Sequence, residues 1–152
     1  MQKHLDLMRI TRRNLIGIAQ SFSLDQLNEI PAPLRNNIVW NVAHVVVTQQ
    51  LLCYGLAGLK LNVDIEMVEK YRKGSRPEAS VGPEEWEHIQ GLMVSLVDQT
   101  EQDLAEGRFQ ELRSYSTSYG VTLNTIEDAF AFNNLHESMH LGTVIAMRRL
   151  LR

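Results

Sequence analysis

Residues 36–58 leave this chain few ways to fold. They include Ile38, Val39, Trp40, Val42, Ala43, Val45 to Val47, Leu51, Leu52, Tyr54 and Leu56. A helix over that run is apolar around most of its circumference, so it has to be largely buried. Asn37, Asn41, His44 and Thr48 interrupt it at offsets of four, three and four, which draws one polar stripe along a single face. The simplest reading makes that stripe the solvent side.

Three other long segments carry helical periodicity. Residues 3–21 place Leu5, Met8, Leu15, Ile18 and Phe22 near the helical repeat. Ser23-Leu24-Asp25-Gln26 then matches a capping box for a short helix that Pro31 and Pro33 end. Gly82-Pro83-Glu84-Glu85 opens a further helix, with proline suited to its first position and carboxylates to its first turn. Its buried face is Trp86, Ile89, Met93, Leu96, Val97, Thr100 and Leu104, and it fades by Gly107. Asn124-Thr125-Ile126-Glu127 is a cap-like start for a last helix running to about Leu151. Between the second and third long helices lies a connection, Leu59 to Gly82, with a short helix expected around Asp64 to Tyr71. That is longer than the usual two to eight residues of a bundle connection, and long enough to make the helices it joins parallel. Four long helices with a crossover predict an all-α four-helix bundle in one domain over residues 1–152.

Charge narrows the partners. A net charge of −3 gives no electrostatic reason to expect nucleic acid or a membrane surface. The pairs Arg12-Arg13 and Arg148-Arg149 read as solvated helix faces, and His4 as a solvated histidine. No apolar run approaches membrane-spanning length, and residues 1–13 lack a signal-peptide core. The single cysteine, Cys53, excludes an intramolecular disulfide and reads as a small core residue. A cytoplasmic location is the expectation.

His136-Glu137-Ser138-Met139-His140 carries the chemistry. Two histidines four apart share a helix face and form a bidentate grip for a divalent cation. The pattern is also that of zinc-protease helices, whose commonest forms take a third ligand downstream. Here Thr143 and Ala146 occupy the positions of the extended motif, and the twelve residues from Leu141 to Arg152 contain no His, Asp or Glu. Any further ligand must come from upstream. His44, in the buried helix, is the candidate, with Asn41, Asn133 and Glu137 as outer partners or proton-transfer groups. Glu137 is offset by about one hundred degrees from His136, so its simpler reading is a surface carboxylate. Three imidazoles leave an ion one or more open positions, the arrangement of a catalytic site.

A di-iron carboxylate site fits poorly despite two E-x-x-H matches, Glu85 to His88 and Glu137 to His140. It needs a Glu from each remaining helix, and residues 36–58 contain no acidic residue. His88 is expected to be exposed. A helical interaction or stress-response module that binds no metal stands as the alternative.

Asn36-Asn37-Ile38-Val39-Trp40-Asn41-Val42-Ala43-His44, followed by His136-Glu137-Ser138-Met139-His140-Leu141-Gly142, resembles the DinB-like (DinB/YfiT) superfamily. Tyr71-Arg72-Lys73-Gly74 and Tyr119-Gly120 extend the resemblance over nearly the whole chain. The family pattern of three histidines and a following glycine maps onto His44, His136, His140 and Gly142, with Thr143 where a Gln is common. The resemblance implies an up-down-down-up bundle, a homodimer and a divalent metal such as nickel or zinc. It also implies metal-dependent chemistry on a small-molecule substrate. Relatives include transferases and isomerases that use a low-molecular-weight thiol, and others viewed as hydrolases. The pocket is expected between the second and fourth long helices, bordered by the Leu59–Gly82 connection and the Arg108–Leu123 loop.

Overall fold

Burial of one helix sets the architecture. In the computed structural model, which describes residues 1–151, every residue of helix α3 (Ile38–Gln49) is buried except Thr48. The stripe containing Asn41 and His44 therefore faces inward, not toward solvent. Asn37 spends its side chain on the helix start, accepting a bond from the Trp40 N–H at 2.8 Å. Ahead of α3 come α1 (Gln2–Ala19) and the short α2 (Leu24–Asn28), the latter opened by the Ser23–Gln26 capping box. After it come α4 (Ile65–Tyr71), α5 (Pro83–Ala105), a two-stranded ribbon of β1 (Tyr115–Ser116) and β2 (Thr122–Leu123), and α6 (Ile126–Leu150).

The long segment expected over 36–58 is α-helical only to Gln49. Residues Gln50–Gly55 continue it as a π-helix. The wider turn lets the consecutive Gln49 and Gln50 both lie fully inside, where each finds a partner. The Gln49 amide donates to Thr100 Oγ1 at 3.1 Å, and Gln50 Oε1 accepts from the Asn62 N–H at 2.8 Å. The last helix also starts one residue later than expected. Thr125, not Asn124, caps α6, because the Asp128 carboxylate reaches back to the N–H groups of both Asn124 and Thr125 at 2.9 Å.

Helix α1 packs on α5 and α6, and α3 packs on the same two. Their relative directions follow from paired contacts. Gln2 and Arg9 meet Glu101, and Arg12 meets the Met93 carbonyl, so α1 and α5 run oppositely. His4 meets Asn134 while Arg12 meets Glu137, so α1 and α6 run the same way. Asn41 meets Met147 while His44 meets His136, so α3 opposes α6. Gln49 meets Thr100 and Tyr54 meets Asp103, so α3 with its π continuation runs with α5. The main core lies among these helices, around Val42, Val46, Ile89, Met93, Val144 and Met147. Cys53 is part of a smaller cluster with Tyr54 and Phe130, and burial pushes its thiol well above the usual range.

Two sequence expectations about surface charge are corrected here. Arg12 is buried, not solvated, because its guanidinium pairs with Glu137 at 2.8 Å inside the core. His4 is half-buried, with the Asn134 amide donating to its carbonyl at 3.1 Å. Among the described residues no helix is long and apolar enough to cross a membrane.

Candidate metal centre

Each of two imidazoles is locked by a partner on its Nδ1 edge. His44 Nδ1 donates to the backbone carbonyl of Tyr71, the last residue of α4, at 2.6 Å. Its ring also stacks on Trp40, with centroids 4.4 Å apart and planes 11° from parallel. Trp40 is itself held by a bond from its indole N–H to Ser75 Oγ at 3.0 Å. His140 Nδ1 donates to Asn41 Oδ1 at 2.8 Å. The Asn41 amide cannot reverse its role, because its nitrogen donates to the Asn37 carbonyl at 2.7 Å and to Asn36 Oδ1 at 3.2 Å. Protons fixed on Nδ1 leave the Nε2 lone pairs of His44 and His140 free, the second-partner arrangement of metal-binding histidines.

Both lone pairs point at the same atom. His136 Nε2 lies 3.2 Å from His44 Nε2 and 3.2 Å from His140 Nε2. A neutral His136 carries at most one proton there, so it can satisfy only one of the two contacts, and the Thr48 hydroxyl, 3.3 Å from His44 Nε2, is the other group able to donate. Three ring nitrogens converging on one point are chemically suited to a cation. Two of the three edges match a tetrahedral site, whose metal–nitrogen bonds near 2.0 Å require edges of roughly 3.3 Å, and all three ligand atoms lie within 4.8 Å of one another. His44, His136 and His140 can thus hold a metal ion together.

Electrostatics keeps the donors neutral. Burial is the largest cause for all three. It holds His44 below its ordinary value, the bond to Tyr71 working in the other direction. His136 is pushed down to about 3 by burial and by its two imidazole neighbours, and His140 to about 4 by burial and His44. Ligand protons therefore do not compete with a cation at neutral pH. These groups bind fewer protons folded than unfolded below the ordinary histidine value, so acid favours the unfolded chain. Metal-free protein is expected to lose stability as pH falls from about 6.5 toward 4, with a slope approaching about 1.4 kcal/mol per pH unit for each of His136 and His140. Urea midpoints across that range check it, and a flat profile would contradict the burial account.

The cluster forms one wall of a cavity of about 520 Å³. Leu51, Leu52, Leu56, Phe132 and Met139 supply apolar surface. Lys73 comes from the α3–α5 connection, and Arg113, Tyr115 and Tyr119 come from the loop that carries the ribbon. The loop is pinned to the π segment by the Arg113 N–H donating to the Leu56 carbonyl at 2.8 Å.

Not every residue singled out in the sequence comes to this place. Asn41 does, through His140. Glu137 points instead toward α1, where both of its oxygens accept from Arg12 and Oε1 also accepts from the Asn133 amide at 2.8 Å. It is fully buried, so the surface reading fails as well. Asn133 bonds Glu137 and no histidine, its Oδ1 being buried without a hydrogen-bond partner among the described residues. His88 is exposed and lies beside Glu85 and Ile89, away from the triad. The Tyr71 carbonyl and the Trp40 face escaped the sequence reading. Trp40 lies four residues before His44, one helical turn away, which is a readable signal. A backbone carbonyl from another element leaves none.

Comparison with known proteins agrees with this picture. No curated protein matches the chain. A conserved protein of Enterococcus faecalis, known from its crystal structure, has a TM-score of 0.68 and 16% identity, over 99% of this chain and 95% of that one. At such identity the likeness is one of fold. A family model described as the DinB superfamily matches residues 7–144. With a model match over most of its length, the chain belongs to the DinB superfamily.

Proposed function

We propose that this protein is a divalent-metal-dependent enzyme whose ligands are His44, His136 and His140. The observation that carries the reading is the convergence of three Nε2 atoms, two of them with their protons fixed on the far side of the ring. We read the scaffold as a single-domain four-helix bundle in up-down-down-up order. The four helix-pair directions support that order, and bundle cores commonly hold such sites.

A divalent ion at the triad would supply Lewis acidity, lowering the pKa of a thiol or water at an open position. The chain's own residues do the rest. Tyr71 and Asn41 hold two imidazoles in the ligating tautomer, Trp40 fixes the plane of His44, and the apolar cavity wall excludes water. Among the described residues no carboxylate lines the cavity, and Glu137 is occupied by Arg12. A thiol starts far closer to neutral pH than water does, so with no carboxylate base at the cavity it is the nucleophile that needs less acidification by the ion. That contrast favours transfer with a low-molecular-weight thiol over hydrolysis. Nickel or zinc, a small-molecule substrate and a homodimer complete the reading, supported by the family resemblance, and a cytoplasmic location is added from the sequence expectation.

Equilibrium dialysis of the untagged protein against nickel and zinc tests it. About one ion per chain is expected from the three-ligand geometry. No uptake of either would remove the reading and favour an interaction module. Asn41→Ala is expected to weaken metal binding by roughly 10- to 100-fold while the fold persists, since it frees the His140 tautomer. Competition titration with a chelator measures that loss.

A further inference from the structure

We propose that the cavity beside the three histidines takes a substrate with an apolar body and an anionic head, the head being read by Lys73 and Arg113. This rests on the reading of the triad as the reactive centre and adds the class of molecule delivered to it.

The cavity's charged lining is one-sided. Besides the histidines it contains two charged groups, Lys73 and Arg113, and no carboxylate among the described residues. Both cations are exposed at the cavity mouth, and neither makes an ion pair among the described residues. On a chain of net charge −3, two unpaired cations at one cavity create a local field of the opposite sign to the whole, which draws anions in. Both are also tied into the site's frame. Lys73 follows two residues after Tyr71, whose carbonyl holds His44, and its ammonium donates to Ser118 Oγ at 2.7 Å. The Arg113 backbone is anchored on Leu56. The rest of the lining is largely the hydrocarbon of Leu51, Leu52, Leu56, Phe132 and Met139, with the Tyr115 and Tyr119 rings. A cavity of about 520 Å³ suits a small ligand rather than a polymer. Apolar surface rewards a hydrocarbon or aromatic body, and a guanidinium with an ammonium rewards a carboxylate or phosphonate.

Calorimetric titration of zinc-loaded protein with 4-phenylbutyrate, 4-phenylbutanol and 4-phenylbutylamine tests the proposal, because the three differ only in the head. The acid is expected to bind at least about tenfold more tightly than the alcohol, and the amine more weakly than either. In the double variant Lys73→Gln/Arg113→Gln the acid preference is expected to fall below about threefold with zinc content unchanged. Equal binding of acid and alcohol would overturn the proposal. So would an acid preference that survives the double variant, because the metal would then be reading the head. The phosphonate analogue separates the two anion types: tighter binding than the acid assigns a phosphate-like head. If the protein takes up neither zinc nor nickel, the metalloenzyme reading falls by itself. The same titrations on metal-free protein then still decide whether the two cations select an anion.

Discussion

His44→Ala and His136→Ala are each expected to abolish stoichiometric metal binding while leaving the chain folded. Either change removes one of three converging nitrogens, and the loss should exceed the roughly 10- to 100-fold that an outer partner is worth. The fold should survive because the triad lies beside the cavity rather than in the main apolar cluster. Stability gives a second readout. At free metal a thousandfold above Kd, binding to the native state adds about 4 kcal/mol, which for a chain of this length is roughly 10 °C in Tm. Wild-type protein should show that gain with nickel or zinc, and both variants should lose it. Tight binding that persists in both would place the metal elsewhere.

Glu137→Ala is expected to cost about 3–5 kcal/mol, because it leaves the Arg12 guanidinium buried without a counter-charge. Arg12 and Glu137 are both essentially inaccessible, and the Glu137 oxygens accept three bonds from Arg12 and one from Asn133. Against a total stability of about 5–15 kcal/mol the loss is a large fraction. Arg12→Met combined with Glu137→Leu should recover most of it, since an apolar pair of similar volume carries no desolvation penalty. A denaturant double-mutant cycle measures both effects. A change within about 0.5 kcal/mol for Glu137→Ala would show that the pair carries no such weight. The measurement bears on mechanism as well. A carboxylate placed for proton transfer should, when changed to Gln, alter turnover with little change in stability, whereas a core counter-ion should reverse that order.

The sequence made the long helices readable because apolar spacing and capping residues are local signals. Pro83 with Glu84 and Glu85, and the Ser23–Gln26 box, mark starts where the chain has them. The triad was readable for a different reason: His136 and His140 share one helix face, and His44 is the one histidine in a helix that is apolar nearly all round. The role of Glu137 was not settled by its neighbours in sequence. Its partner lies 125 positions away, and only helix phase hints at the pair. Arg12 falls between the buried Met8 and Leu15, and Glu137 between the buried Asn133 and Val144, so opposite charges sit at core-facing positions of two packed helices. The π turn at Gln50 stayed hidden because it answers to the Asn62 backbone and to Thr100 through Gln49, neither of them within its own segment.

The hold on His44 has an evolutionary corollary. Its Nδ1 partner is a main-chain oxygen, so replacing the Tyr71 side chain does not remove it. What matters is where helix α4 stops. Asp64 caps its start and Tyr71 is its last residue, so one residue inserted between them would swing that carbonyl by about 100°. Changing the Tyr71 side chain would cost its core packing and its bond to Glu85 but would leave the carbonyl in place, whereas changing the number of residues between Asp64 and Tyr71 would move it. The constraint is one of chain length, invisible to any search for an invariant letter.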